Sequence, residues 1–213
     1  MTKTPSAALP LLLALCAACA TPQIAVNPRA DFSAVKRVAV LPFGGPKGVL
    51  AADLLTQSLI AAGADVVERQ RLDSVMQEQS LSSSGSFDPA TAKQLGRLLG
   101  VDALFVGTVA ESTPASTYLV SSSNDPLVTS VTQVNGSNIH PDGSVAGLPS
   151  SQLFSTAASV SLVSRMVEVQ TGSILWSASM SYEGLDIPSA TKAITDSFVK
   201  SLTPIWPYIY RPR

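Results

Sequence analysis

The feature that most constrains this fold is a run of alternating apolar and polar residues at positions 158–183, divided into two arms by a short segment that contains a glycine. In the first arm, one face carries Val160, Leu162, Met166 and Glu168, and the other face carries Val167 and Val169. In the second arm, one face carries Ile174, Trp176, Ala178 and Met180. A period of two predicts β-strands, and Gly172 can adopt the positive φ that a three-residue hairpin loop of Gln170, Thr171 and Gly172 requires. Because a hairpin cannot bury its apolar faces alone, the rest of the chain is expected to cover it.

Three elements are predicted in residues 35–68. Residues 37–43 form a near-continuous apolar run, which is typical of a strand that lies at the centre of a sheet and is covered on both faces. The glycine-rich residues 44–48 then turn the chain into a helix that ends at Gly63 and has the apolar stripe Leu50, Ala51, Leu54, Leu55, Leu59 and Ala62. Residues 66–68 predict a second, short strand.

Three helices and a strand are predicted in the remainder of the body. Residues 71–79 have helical spacing, and residues 80–87 form a serine and glycine loop. Asp88 is the predicted N-cap of the next helix, with Pro89 at its first position, and this helix runs to Gly100 through Ala92, Leu95 and Leu98 or Leu99. Residues 103–109 predict a buried strand. The last helix, 189–202, stops at Pro204 and has the apolar face Ala190, Ile194, Phe198 and Leu202.

This alternation of elements predicts an α/β fold, in which a mixed β-sheet is flanked by helices and includes the long C-terminal hairpin. An insertion at residues 112–156 interrupts the pattern. It is rich in Ser, Thr, Asn, Gly and Pro, and its only charged residues are Asp125 and Asp142. Residues 118–120 and 127–134 are candidate strands within it, but Pro126 and their weak alternation count against them. A structureless loop of this length is either functional or mobile, and we expect the insertion to be dispensable for folding because it offers little to a core.

The first residues read as a secretory signal rather than as part of the fold. Lys3 is followed by an apolar segment at 7–15 that is too short for a permanent membrane span. The order Leu15, Cys16, Ala17, Ala18, Cys19 resembles the bacterial lipobox, in which the cysteine receives diacylglycerol and becomes the new N-terminus. We therefore predict a lipoprotein signal peptide over 1–18, lipidation at Cys19 and a flexible tether over 19–34. A plain secretory signal that is cleaved nearby is the alternative.

Three runs of sequence carry a resemblance to a known family: VVERQRLDSVMQEQ at 66–79, TAKQLGRLLGVDALFVGTV at 91–109 and SLVSRMVEVQTGSILWS at 161–177. The chain is similar over most of 37–198 to the CsgG and LpoB family of bacterial outer-membrane lipoproteins. The resemblance implies an α/β periplasmic domain related to the N-terminal domain of TolB, which we place at residues 35–205. The family includes curli secretion channels and activators of peptidoglycan synthases.

The sequence offers little support for catalysis, and we expect no enzyme, no cofactor and no metal site. His140 is the only histidine and is expected in a solvated loop, because residues 20–213 have neither a second histidine nor a cysteine to complete a zinc set. Serines are abundant, but no Gly-x-Ser-x-Gly motif is present. The loop at 44–48 lacks Walker spacing and is expected to be a simple turn. Glu68 and Arg69 are expected to have a structural role.

The aromatic C-terminal tail, residues 206–213, carries Trp206, Tyr208 and Tyr210. We expect it to dock on the body, and the alternative is that it binds a partner or the membrane surface.

Two functions fit these observations. In the first, the protein is an accessory lipoprotein that its lipid holds on the periplasmic face of the outer membrane, where it binds a periplasmic or outer-membrane protein. The sequence does not determine whether it also forms a homo-oligomer. In the second, it is a subunit of a curli-type channel, which needs membrane-crossing strands of about 9–11 residues. The accessory reading is favoured because residues 184–188, where such a channel has its second hairpin, are too few. The net charge of −1 gives no indication of nucleic-acid binding.

Overall fold

The computed structural model describes residues 21–68, 74, 89–122, 129–135, 138–144 and 152–209. Ten strands and three α-helices lie in these ranges. The first sheet has six strands in the order β1-β10-β9-β4-β2-β3. Its strands are β1 (Gln23–Val26), β2 (Arg37–Val40), β3 (Asp65–Val66), β4 (Ala103–Thr113), β9 (Ala158–Glu168) and β10 (Ile174–Gly184). β2 runs parallel to its two neighbours, β3 and β4, whereas the pairs β1–β10, β10–β9 and β9–β4 are antiparallel. The predicted mixed α/β sheet is therefore confirmed.

The predicted hairpin is β9 and β10, with two differences in detail. Its loop has five residues, 169–173, closed by a hydrogen bond from the Glu168 N–H to the Ser173 carbonyl (2.9 Å). Gly172 has the expected positive φ, at 75°. A β-bulge at Leu175 then buries both Leu175 and Trp176 and leaves Ile174 43% exposed, so Ile174 does not share the core face as predicted.

Both faces of this sheet are covered. The helices α1 (Gly48–Ala61) and α3 (Ile187–Leu202) pack on one face, and α2 (Pro89–Leu99) packs on the other. Alternate residues of β2 enter the two cores, with Val38 and Val40 facing α1 and Ala39 facing α2. The prediction that residues 37–43 are covered on both faces is confirmed, although β4 and β9 are the central strands and β2 lies one strand from the edge.

The helices follow their sequence signals closely. α3 begins with Asp186 as N-cap in a capping box with Ser189, and its predicted apolar face is fully buried. Leu99 rather than Leu98 is the buried residue at the end of α2. In α1 the buried positions include Ala52 and Ser58, and Leu50 and Leu54 are only half-buried. None of the described helices is both long and apolar enough to cross a membrane. The predicted helix 71–79, except residue 74, and the N-cap Asp88 lie outside the described residues.

The predicted flexible tether at 19–34 is wrong over its described part. Residues 23–26 form β1, which pairs with β10 from Gln23 opposite Ser179 to Val26 opposite Trp176. A 3-10 helix, Phe32–Ala34, follows and buries Phe32 in the main core. β1 has exposed side chains throughout, so its strand conformation comes from backbone pairing and left no periodic signal in the sequence. The folded body therefore begins before residue 35.

The insertion at 112–156 is also not a structureless loop. β4 continues to Thr113, and a second sheet follows, made of β5 (Ser116–Ser122), β6 (Thr129–Asn135), β7 (Asn138–Ser144) and β8 (Gln152–Thr156). All its pairings are antiparallel, in the order β7-β6-β5-β8. The Ser, Asn, Gly and Pro content concealed the strands because these residues are typical of turns, whereas the interspersed Thr, Val and Tyr have high β-propensity.

We predict that this second sheet can be removed without unfolding the domain. No described residue of 114–157 belongs to either buried core, and Thr113 pairs with Ser159 across β4 and β9. Replacing 114–157 with Asn-Gly in the chain from residue 21 would join the two strands by a short turn. We expect Tm to change by less than about 3 °C, the shift for about 1 kcal/mol in a domain of this size. Loss of the cooperative transition would contradict this prediction.

Candidate interaction surfaces

The residues considered for chemistry do not converge in the described part of the chain. No three His, Cys, Asp or Glu side chains of the described residues are placed to hold a metal ion. His140 lies in β7 rather than in a loop, and its side chain is outside the described set. The buried hydroxyl of Ser58 has two acceptors for its single proton, the Asp196 carboxylate (2.7 Å) and the Leu54 carbonyl (2.9 Å), and the contact with Asp196 links α1 to α3. The absence of an enzyme activity stays a prediction.

The glycine loop at 44–48 is explained by packing against β4. The N–H of Gly44 donates to the Gly107 carbonyl (3.0 Å), and its own carbonyl accepts from Val109 (2.8 Å). Gly45 has φ 84°, and a Cβ there would lie 2.1 Å from the Val109 carbonyl oxygen. The N–H of Gly48 donates to Gly45 (3.2 Å). These contacts agree with the predicted turn and helix start.

Asp102, in the family-like run at 91–109, has a structural role. Its carboxylate accepts hydrogen bonds from the backbone N–H groups of Lys36 (2.8 Å) and Arg37 (3.0 Å). Its own N–H donates to the Arg37 carbonyl (2.8 Å), and its carbonyl accepts from Val169 (2.9 Å). One residue therefore fixes the start of β2 and the end of the hairpin at one end of the sheet. Arg69, which was expected to have a structural role together with Glu68, lies outside the described residues.

An apolar groove of about 440 Å³ lies between α1 and the β3 edge of the sheet. We call it the α1/β3 groove. Its lining is Val40, Pro42, Ala52, Asp53, Thr56, Gln57, Ile60, Val66, Val67 and Glu68. Ile60 is 57% exposed on its wall, which is a large exposure for an apolar side chain. Two carboxylates, those of Asp53 and Glu68, lie among otherwise uncharged residues. Sequence reasoning singled out Glu68 but missed the groove, because Ile60 falls outside the predicted apolar stripe.

The opposite edge of the sheet is β1, whose second edge is unpaired among the described strands. Ile24 (45% exposed) and Val26 are open to solvent there. Asn27 fixes the end of β1, because its N–H donates to the Leu175 carbonyl (2.9 Å) and its side-chain amide to the Ile174 carbonyl (3.2 Å).

Asp31 begins the 3-10 helix that follows β1. Its carboxylate accepts hydrogen bonds from the hydroxyl and the backbone N–H of Ser33, and these bonds hold its pKa below the usual value.

One end of the first sheet gathers three points of the chain, and we call it the tether end. It contains the end of β4 at Thr113, the start of β9 at Ala158 and the end of β10 at Gly184. α3 also begins here, at Asp186. Hydrogen bonds from Ser189, first from its backbone N–H and second from its hydroxyl, keep the pKa of the Asp186 carboxyl below its usual value. The ionised carboxylate is favourable beside the helix N-terminus.

The aromatic tail docks on the body in its described part, as predicted. Trp206 is fully buried in the main core, and Ile209 is buried beside it. The indole N–H of Trp206 donates to the Val35 carbonyl (2.7 Å). Tyr208 is 41% exposed, and Tyr210 lies outside the described residues. The folded domain therefore extends past residue 205.

One family model matches part of the chain. The family described as "Curli production assembly/transport component CsgG" matches residues 17–113. The resemblance expected from the sequence is thereby confirmed. No curated protein matches the chain by sequence.

Solved structures with similar folds include three proteins from different bacteria. A PelC dodecamer from Paraburkholderia phytofirmans is 16% identical, with a TM-score of 0.41, covering 90% of this chain and 99% of that one. Lipoprotein GNA1162 from Neisseria meningitidis is 15% identical, with a TM-score of 0.45 and coverage of 79% and 94%. The LpoB C-terminal domain from Escherichia coli is 17% identical, with a TM-score of 0.40 and coverage of 71% and 86%.

Proposed function

We propose that this chain, which is CsgG-like over residues 17–113, is an accessory lipoprotein of the outer membrane that acts by binding another envelope protein rather than by catalysis. In this proposal Cys19 carries the lipid, and the body lies on the periplasmic side, where it supports secretion or activates a peptidoglycan synthase. The family match supports an envelope-assembly role. The observation that carries the binding role is the α1/β3 groove, an apolar concavity with an exposed apolar wall.

The chemistry of the groove indicates the kind of partner segment that fits it. Burial of Ile60 and of the apolar floor would supply the favourable free energy of binding. Glu68 is an exposed carboxylate of the lining, and a basic residue on the partner would complement it. We therefore propose an apolar segment carrying Lys or Arg as the ligand of the α1/β3 groove.

The position of the groove is compatible with a membrane anchor. β3 and β1 are the two opposite edges of the six-stranded sheet. Because Cys19 lies four residues before β1, the lipid attaches at the edge remote from the groove. A partner can thus approach the α1/β3 groove without displacing the anchor.

A subunit of a curli-type channel is the alternative. The presence of β-strands in the insertion favours it, but the length of these strands does not. Its strands β5, β6 and β7 have seven residues each and β8 has five. A transmembrane strand needs about 9–11 residues. Only residues 185–186 separate β10 from α3, which leaves no room there for the second hairpin of such a channel. Both the short strands and the short connection support the accessory role.

Site-specific crosslinking in cells tests the proposed binding site. A photo-crosslinking amino acid at Gln57, an exposed residue of the groove lining, should form an adduct with an envelope protein that is identified by mass spectrometry. Ile60→Asp should abolish the adduct, because an added carboxylate in the groove opposes burial of an apolar segment. The matched control is Ile24→Asp, since Ile24 has similar exposure (45%) but lies on the β1 edge. This control should leave the adduct unchanged.

Three outcomes would contradict the proposal. Equal loss of the adduct in Ile60→Asp and Ile24→Asp would show that the groove is not the binding surface. Adducts only between copies of this chain would favour a homo-oligomer, and conductance of the purified lipidated protein in planar bilayers would favour the channel. Both variants replace exposed residues, so we expect each to change the free energy of unfolding by no more than about 0.5 kcal/mol.

A further inference from the structure

The outer edge of β1 lacks the features that usually protect an edge strand from pairing. β1 is an edge strand of the six-stranded sheet, and all four of its side chains are exposed. Edge strands are commonly protected by charged side chains, by proline or by a bulge. β1 consists of Gln23, Ile24, Ala25 and Val26, so it contains neither a charge nor a proline, and its register with β10 is regular. The edge is therefore available to a further strand.

The hydrogen bonds between β1 and β10 identify the backbone groups that face this open edge. The N–H of Asn27 donates to the Leu175 carbonyl, so Asn27 directs its backbone N–H toward β10. Backbone groups alternate in direction along an antiparallel strand, and Ala25 therefore faces β10 as Asn27 does. The N–H and carbonyl groups of Ile24 and Val26 point the other way. Two donors and two acceptors of β1 thus face an edge that has no partner among the described strands.

A second copy of β1 satisfies all of these outward groups. We infer that two copies of the chain associate through β1, with the two strands antiparallel about a two-fold axis at Ala25. Ile24 of one copy then lies opposite Val26 of the other. The axis creates two such pairs, and each pair exchanges two hydrogen bonds. The two six-stranded sheets are thereby joined into one continuous sheet.

The side chains of β1 favour a second copy as the occupant of this edge. Ile24 and Val26 (42% exposed) share one face of the strand, and the two-fold axis sets Ile24 of each copy against Val26 of the other. Such pairs of opposed β-branched side chains stabilise a sheet. Because β1 has no charged residue, self-pairing places no like charges opposite each other. The edge is complementary to itself in both hydrogen bonding and side-chain character.

The pairing closes at two copies and leaves the α1/β3 groove open. Both copies use the same edge, so the contact is isologous and does not extend into a ring or a filament. The groove lies at β3, which is the opposite edge of the sheet, and each dimer therefore presents two grooves at its outer edges. The inference goes beyond the proposed function and does not depend on it. Since four residues make a short interface, we expect a reversible dimer of the transient class, below about 1,200 Å².

Disulfide trapping in cells tests the position of the axis. The two copies of Ala25 form a non-hydrogen-bonded pair, in which the Cα atoms lie about 4.5 Å apart. This separation is within the range of about 4.4–6.8 Å that a disulfide spans. Ala25→Cys in the full-length protein should therefore give a covalent dimer on a non-reducing gel. The unsubstituted chain, which contains Cys19, controls for disulfides formed elsewhere.

Gln23→Cys is the matched control for this experiment. Gln23 is exposed and lies on the same face of β1 as Ala25. The two-fold axis places it opposite Asn27 of the other copy. Its own counterpart is four residues further along the paired strand, or about 14 Å away, which is too far for a disulfide. We expect a covalent dimer with Ala25→Cys and none with Gln23→Cys.

A charge at the axis adds a test in solution. Ala25→Lys places two lysines directly opposite each other, where like charges destabilise a pair. Gln23→Lys adds the same charge to the same face of β1 but sets it opposite Asn27. In sedimentation equilibrium of the chain from residue 21, the unsubstituted chain and Gln23→Lys should approach the dimer mass as concentration rises. Ala25→Lys should remain a monomer.

Three results would overturn the inference. They are the absence of a disulfide with Ala25→Cys, equal disulfide yields with Ala25→Cys and Gln23→Cys, and equal association of the unsubstituted chain and Ala25→Lys. A photo-crosslinking amino acid at Ala25 identifies the occupant directly. Adducts between copies of this chain support the inference, and adducts only with a different protein overturn it. The adduct at Gln57 tests the groove separately, so a failure of either proposal is distinguishable from a failure of the other.

Discussion

Replacing Trp176 with alanine is expected to lower the free energy of unfolding by about 3–5 kcal/mol, the usual cost of emptying a buried aromatic site. Trp176 is fully buried and packs edge-on against Phe105 (ring centroids 6.2 Å apart) and Phe198 (5.7 Å). Its indole N–H donates to the Ser201 hydroxyl (3.2 Å). One side chain thus joins β10, β4 and α3. Denaturant unfolding of the chain from residue 21 measures the loss as a lower midpoint at an unchanged slope.

Ile174→Ala is the control for this prediction. Ile174 lies two residues before Trp176 on β10, and a regular strand would place both on one face. The bulge at Leu175 instead leaves Ile174 partly exposed. We therefore expect Ile174→Ala to cost less than about 1 kcal/mol, as is usual for an exposed substitution. Equal losses for Trp176→Ala and Ile174→Ala would contradict the bulge and support the regular alternation that the sequence predicted.

The sequence predicted best those elements whose signal is local. α3 was predicted from its apolar stripe, which is fully buried in the structure, and the helix begins two residues earlier than predicted, at Ile187 after the N-cap Asp186. The hairpin was predicted from its period of two. The bulge at Leu175 could not be predicted, because Ile174, Leu175 and Trp176 are three consecutive apolar residues and either register satisfies the pattern.

The elements that were missed are stabilised by backbone pairing rather than by burial of side chains. β1 has no buried side chain, so its sequence is indistinguishable from a linker. Its partner strand, β10, lies some 150 residues away, and a single sequence does not reveal which edge it will pair with. The second sheet was missed for a related reason, because its Ser- and Thr-rich strands contribute no described residue to either buried core.

The α1/β3 groove could not be predicted because it depends on packing geometry. The sequence places Ile60 on α1 and Val66 on β3, but the space between them is set by how α1 lies on the sheet. Binding between folded proteins uses such surfaces without a sequence motif, so the family resemblance indicated a compartment and a class of role but no binding residue. The corrected start of the fold also affects the proposed lipid anchor. The predicted tether of residues 19–34 is shortened to the four residues 19–22, because β1 begins at Gln23.

Replacing Trp206 with alanine is the second large effect that we expect, at about 3–5 kcal/mol of unfolding free energy, because the site is buried to the same degree as that of Trp176. Trp206 follows α3 and packs near Phe105 (ring centroids 6.3 Å apart). Its indole N–H reaches the Val35 carbonyl just ahead of β2. It therefore holds the C-terminal tail against the segment that links β1 to β2.

Trp206→Phe separates packing from hydrogen bonding at this site. The smaller ring keeps most of the apolar contact but removes the donor to the buried Val35 carbonyl, and leaving such a group unpaired costs about 1–3 kcal/mol. Tyr208→Ala is the surface control and should cost less than about 1 kcal/mol, since Tyr208 is partly exposed. If Trp206→Ala were as mild as Tyr208→Ala, the tail would not be part of the core, and the alternative that it binds a partner or the membrane would regain support. A graded loss, with alanine worse than phenylalanine at position 206 and little change at 208, is the result expected if the tail closes the core beside the start of β2.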